Sequence, residues 1–255
     1  MKKFWITGLS LLLALSFTAC AKNPQTSPAP SQQPEEGPKE ETTTTVVIGA
    51  GGAGMMTAIE LKNNGQDVIL LEKQAMPGGA TLLAATYFVA VDTEMQKEAG
   101  MGLTIDDYIA KQMASNPDFN ADNLRRLLEN SQDSIDWLNE RGANLTRPMS
   151  NYQIGIGDGS SLGVTLVKIL KAECEKAGVD LRTETKVTEI LMDQGKAIGV
   201  KANGPEGELI IHADQVVIAT GGYAANQQLV KEYAPEWAGT PFTTAAGSTG
   251  DGHQL

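Results

Sequence analysis

Gly49, Gly51 and Gly54 form a G-x-G-x-x-G pattern, and Glu72 follows 18 residues after the last glycine. These residue types at this spacing suit the grip on a dinucleotide. The first glycine permits a tight turn, the second lets the backbone approach a pyrophosphate, and the third lets a helix pack closely on a strand. Free N–H groups at the helix start attract the phosphate charge, and an acid after the next strand accepts hydrogen bonds from a ribose. The flanking sequence supplies the elements this needs. Thr44-Thr45-Val46-Val47-Ile48 reads as a buried strand, Met55, Met56, Ala58, Ile59 and Leu61 as a helix, and Val68-Ile69-Leu70-Leu71 as a second strand ending at Glu72.

Further along, Lys73–Thr81 is a loop whose Gly78 and Gly79 allow backbone to approach a ligand. Residues 104–116 and 121–141 read as helices, the second capped by Asn120 or Asp122 and stopped by Gly142. Trp137 is expected in the core, with Arg125, Arg126 and Arg141 on solvated faces. The glycine-rich stretch Gly155–Ser161 fits either a phosphate or substrate loop or a flexible connection. A helix over Leu162–Ala177 places Cys174 on its apolar side, as a small buried hydrophobe. From Val179 the pattern turns to strands: Asp180–Thr183, Lys186–Met192, Ala197–Ala202 and Leu209–His212, the last three forming an antiparallel meander. His212 is expected to face solvent. Gln215–Ile218 is a further buried strand, ending in Ala219-Thr220-Gly221-Gly222. The fold class expected is α/β: a Rossmann-like domain with a parallel sheet and a three-stranded antiparallel meander.

The ends of the chain are of a different kind. Lys2 and Lys3 precede an apolar run from Phe4 to Ala19, short for a membrane span and suited to a signal peptide over 1–19. The run ends Ser16-Phe17-Thr18-Ala19-Cys20, which resembles a bacterial lipoprotein signal with Cys20 as the lipidated residue. Residues 20–43, with five prolines and few apolar side chains, read as a disordered spacer. The net charge of −11 becomes −13 once Lys2 and Lys3 are removed, which argues against binding nucleic acid or anionic lipid through surface charge. Two cysteines make no disulfide framework. Thr249-Gly250-Asp251-Gly252 looks like a turn opening a helix, three residues before the end at Leu255, so the domain 44–255 is expected to be incomplete at its C-terminus.

The ordered series GAGGAG, LLEK, PGGAT, meander and VVIATGG, with LLENSQDSIDWLNERGANL (127–145) and TGDG (249–252), resembles the FAD-dependent fumarate reductase and flavocytochrome c family, with urocanate reductases and ketosteroid dehydrogenases as relatives. The resemblance implies FAD as cofactor. Gly49, Gly51, Gly52, Ala53 and Gly54 would hold the pyrophosphate, Glu72 the adenosine ribose with Lys73 beside it, and Val187 would pack near the adenine. Gly79, Ala80 and Thr81 would lie along the flavin side, and Thr220, Gly221 and Asp251 would complete the wall. Two positions depart from the family: Ala80 stands where asparagine is usual, and Thr86 and Tyr87 stand where a glycine pair is usual. Thr86 joins the candidate set through that slot.

The family reduces an activated C=C bond by hydride transfer from flavin N5, with arginine and histidine side chains acting on the substrate carboxylate. It places those side chains in segments that follow the FAD-binding part, so no catalytic residue and no metal ligand is nominated, Arg147, Arg182 and His253 included. The implied protein is an exported, lipid-anchored reductase of a small unsaturated carboxylate. Its electrons would come from a flavin- or haem-bearing protein or the quinone pool. The alternative is a truncated, non-catalytic FAD-binding fragment. A solute-binding lipoprotein leaves the glycine turn and Glu72 unexplained, and an NAD(P) dehydrogenase does not account for PGGAT, meander and ATGG together.

Overall fold

The computed structural model describes residues 37–255. The signal peptide, Cys20 and most of the spacer lie outside them. Strand β1 runs Lys39–Ile48 and so starts five residues before Thr44, inside the stretch expected to be spacer. Its polar first half pairs in parallel with Leu209–Ala213, and Arg182 forms an ion pair with Glu41. A partner strand, not apolar content, extends it.

Helix α1 (Gly52–Asn63) and strand β2 (Val68–Leu71) follow, and all four β2 residues are buried, as in a parallel strand covered on both faces. A 3₁₀ turn at Gly79–Leu83 leads to β3 (Phe88–Val89), then α2 (Glu94–Glu98) and α3 (Ile105–Ser115). The helix expected over 121–141 is two: α4 (Ala121–Glu129) and α5 (Ser131–Glu140). Asn130 ends the first by bonding its amide to the Arg126 carbonyl at 2.6 Å, a side chain competing with the helical ladder. Strands β4 (Leu145–Ser150) and β5 (Gln153–Ile156) come next, then α6 (Leu162–Ala177), with the bounds its periodicity predicts. β6 (Asp180–Arg182), β7 (Lys186–Asp193), β8 (Lys196–Gly204), β9 (Gly207–Ile218) and α7 (Gln227–Tyr233) complete the order.

The main sheet has the order β6-β2-β1-β9-β8-β7, with β6, β2, β1 and β9 parallel and β7-β8-β9 the antiparallel meander. The strands expected separately at Leu209–His212 and Gln215–Ile218 are one strand. Leu209, Ile211 and Ala213 continue a single alternation, and β1 pairs along it from Leu209 to Ile218 while β8 pairs its first half up to His212. The second sheet, β3-β5-β4, has no counterpart in the sequence reading. Gly155 and Ile156 belong to it, so that end of the glycine-rich stretch is strand rather than ligand loop.

The core lies in layers. Val46, Ile48, Ile69 and Leu71 pack one face of the parallel strands against Val187, Val200 and Ile211 of the meander. The opposite face packs Val47, Val68 and Leu70 against α1 and α6. Trp137 joins that layer to the α5–β4–β5 layer, as expected of a core residue. Arg141 is not on a solvated face: its guanidinium lies 3.9 Å from the Trp137 ring centroid and pairs with Glu173 at 3.0 Å. His212 is exposed on β9, as read.

Cys174 is 1% exposed, and its Sγ lies 3.7 Å from the Met55 carbonyl oxygen. Burial, with a smaller push from Glu175, raises the thiol to about 11. The thiolate is the reactive form. In a Cys20→Ser variant, Ellman's reagent should leave Cys174 unmodified in the folded chain and titrate one thiol in denaturant. Modification of the native chain would show an open α1–α6 interface.

Candidate functional site

A cleft of about 550 Å³ opens at the C-terminal ends of β1 and β2, where a parallel sheet offers its binding crevice. Its floor is the glycine turn. Gly49, at φ 100, donates its N–H to the Leu71 carbonyl at 2.7 Å, and a Cβ there would meet Ala219 O at 2.6 Å. Gly54 sits one layer behind: a Cβ on it would fall 1.8 Å from Gly49 O, so α1 lies directly on the turn. A Cβ on Gly51 would find nothing nearer than Gly78 O at 4.0 Å, so the space beyond Gly51 is the cleft itself. Helix α1 begins there with no acidic residue in its first turn and no side-chain cap. The Gly52 N–H donates to Thr81 Oγ1 at 3.0 Å, from the 3₁₀ turn facing it. This N-terminus, with its partial positive charge, can take an anion.

Glu72 is 7% exposed and holds the turn to the next loop. Its Oε2 accepts from Ala50 N at 2.9 Å and its Oε1 from Gln74 N at 2.8 Å. A carboxylate oxygen can accept more than one bond, so both keep capacity for a ligand hydroxyl.

A charged cluster sits on the cleft wall. Lys73 Nζ donates to Thr249 Oγ1 at 2.5 Å and to Asp251 Oδ2 at 3.0 Å, and Thr249 Oγ1 donates to Asp251 Oδ1 at 2.7 Å. Lys186 Nζ stands 3.8 Å from Asp251. Burial alone would raise the Asp251 carboxyl. The bonds from Thr249 and Lys73 and the charges of Lys73 and Lys186 outweigh it and hold the group below its ordinary value.

Thirteen of the fifteen cofactor-site residues proposed from sequence line this cleft: Gly49, Gly51, Gly52, Ala53, Glu72, Lys73, Gly79, Ala80, Thr81, Val187, Thr220, Gly221 and Asp251. Gly54 supports it from behind. Thr86 is not brought to it. The 3₁₀ turn ends at Leu83, and the Ala84 and Ala85 carbonyls accept from Gly163 N and Leu162 N at the start of α6, so the chain has left the cleft before Thr86. Thr86 is exposed there. Gln74, Thr185, Lys186, Ser248 and Leu255 also line the cleft and were not anticipated. The pairing of Lys186 with Val187 along one strand offered a hint; the 244–248 segment carries no periodic signal. Arg182 is occupied by Glu41 and Asp180, and His253 meets the Tyr223 ring edge-on at 5.1 Å between centroids.

The NADH:fumarate oxidoreductase of Klebsiella pneumoniae (strain 342) is 32% identical over 211 residues, which are 80% of this chain and 23% of that protein. The fumarate reductase (cytochrome) of Shewanella frigidimarina is 32% identical over 209 residues, 78% of this chain and 37% of that one. The open conformation of a flavocytochrome c3 fumarate reductase superposes with a TM-score of 0.78 at 28% identity, over 86% of this chain and 40% of that structure. The chain thus spans less than half the length of these relatives. A sequence model for the FAD binding domain matches residues 44–255. Because that match begins within the strand that carries the glycine turn and continues to Leu255, the chain belongs to the FAD binding domain family.

Proposed function

We propose that this chain is the FAD-binding portion of an exported flavin-dependent oxidoreductase that reduces the C=C bond of a small unsaturated carboxylate, fumarate-like or urocanate-like. The observation that carries the reading is the acid-free start of α1 at Gly51, facing the same cleft as the Glu72 carboxylate. The residues present fit the cofactor. Gly51 offers open space to a pyrophosphate, with Gly52 and Ala53 at the positive end of α1 behind it, the Gly52 N–H being held by Thr81 Oγ1. Glu72 accepts from the ribose hydroxyls while keeping Ala50 and Gln74 in place. Val187, 5% exposed, gives the adenine an apolar wall. Gly79, Ala80 and Thr81 lie toward the flavin side, and Thr220 and Gly221 close the opposite wall.

Once reduced by two electrons and a proton from an outside donor, bound FAD would supply a hydride from flavin N5 to one alkene carbon, the other carbon taking a proton. This chain's part is to bind, orient and shield that cofactor. Export and lipid attachment rest on Lys2-Lys3, the apolar run and Cys20.

Titrating the full chain with FAD, followed by flavin fluorescence, is expected to give saturable binding at one equivalent. A folded chain that binds no FAD would overturn the reading. The bound form is then offered reduced viologen with fumarate, acrylate or urocanate. Turnover supports a reductase, and FAD binding without turnover confines this chain to holding the cofactor.

A further inference from the structure

The segment Ala245–Asp251 forms one wall of the cleft and is tied to its neighbours unequally. Toward the β9 side it has three backbone-anchored ties: Ala225 N to Ser248 O at 2.9 Å, Gly250 N to Gly222 O at 3.2 Å, and Asn226 Nδ2 to Thr249 O at 3.1 Å. Toward the β2 side Lys73 provides the hydrogen bonds, reaching Thr249 and Asp251 across 176 and 178 residues of chain, while Lys186 of β7 stands 3.8 Å from Asp251 without bonding it. The Gln74 side chain lies against Gly247 beside it. Lys73 and Asp251 are 21% and 18% exposed, so the pair is partly shielded from water. An ammonium has three donors, and two of them are directed at this segment.

Resting on the reading of the cleft as the FAD site, we infer that Lys73 is a positioning residue, a latch that pins the Ala245–Asp251 strap across the cofactor cleft, rather than a ligand of the pyrophosphate. Its charge is spent on Asp251 and its reach on Thr249. The anion is left to the start of α1, which carries no competing acid. Cofactor retention then depends on a pair that touches the two walls rather than on one that touches phosphate. With the latch open, the strap stays attached on the β9 side and the cleft loses its closure on the other.

The test combines amide hydrogen exchange of Ser248–Asp251 in the FAD-free full chain with the rate of FAD release from the loaded chain. Lys73→Met and Asp251→Asn are each expected to speed exchange in the strap by about tenfold and to speed FAD release by a similar factor. The effects should fall short of multiplying in the double variant, because both single ones remove the Lys73–Asp251 pair, while Lys73→Met alone loses the Thr249 bond and Asp251→Asn alone weakens the Lys186 contact. Lys73→Arg, which keeps charge and reach, should restore most of the protection. Faster FAD release from Lys73→Met with unchanged strap exchange would overturn the latch and make Lys73 a direct ligand. Multiplying effects in the double variant would overturn it too. A wild-type chain that binds no FAD sinks the cofactor reading alone, since strap exchange in the FAD-free chain still decides whether the latch exists.

Discussion

Replacing Gly54 by alanine is expected to cost more than ~4 kcal/mol of stability and to abolish FAD binding, since its Cβ would make the closest approach of any glycine among the described residues. The added carbon would sit 1.8 Å from Gly49 O, 3.0 Å from Gly49 C and 3.3 Å from the Ala219 side chain. The first two atoms are backbone, so no rotamer change relieves the clash. Either α1 moves off β1, exposing Met55, Ala58 and Ile59, or the Gly49 turn opens and the Gly49-to-Leu71 bond is lost. Both outcomes dismantle the floor of the cleft. Gly52→Ala is the stability comparison, because its Cβ meets side chain rather than backbone, the Thr81 hydroxyl at 2.8 Å, and yields at the cost of the Gly52-to-Thr81 bond. Urea unfolding and FAD titration of the two variants check the contrast. Near-native stability of Gly54→Ala would mean that helix and turn are less closely apposed than they are here.

Glu72→Ala is expected to lower FAD affinity on the order of 100-fold and to cost ~2–4 kcal/mol of stability without any ligand. The second loss arises because the carboxylate serves the protein before it serves a cofactor. Its removal strands the Ala50 and Gln74 N–H groups, which then lack the acceptor that joins the glycine turn to the loop after β2. Glu72→Gln should fall between the two, since an amide keeps one acceptor and points a donor where the other stood. Measuring stability and affinity on the same samples separates these contributions. If affinity falls with no change in FAD-free stability, the carboxylate acts on the ligand alone.

What was legible in the sequence was local. The glycine turn, Glu72 and the span of α6 are fixed by residue type at short spacing, and each stands where the pattern put it. What was illegible depends on distant partners. Lys39–Thr43 has the composition of a linker and becomes strand because β9 offers an open edge. Phe88–Val89 is too short to announce a strand and is one because Ile154 and Gln153 lie opposite. Leu209–Ile218 reads as two strands because Asp214 interrupts its apolar pattern, yet pairing with β1 on both sides of that residue carries it through. In the site, Thr86 stands outside the cleft lining for a similar reason. The start of α6 recruits the Ala84 and Ala85 carbonyls and draws the chain away from the cleft. Lys73 shows the converse: its position was legible, but the partner that defines its work lies 178 residues away.

The early start of β1 also decides how the domain meets a mechanical load. A pull on the chain ahead of Lys39 is directed along β1, while the hydrogen bonds joining β1 to β9 from Lys39 to Ile48 run across that direction. They are therefore loaded in shear, together, instead of being peeled apart one after another. The Glu41–Arg182 pair adds a sideways anchor near the point where force enters. A domain held by its N-terminal end would resist tugging with its longest parallel pairing, whose far end carries the glycine turn of the cleft.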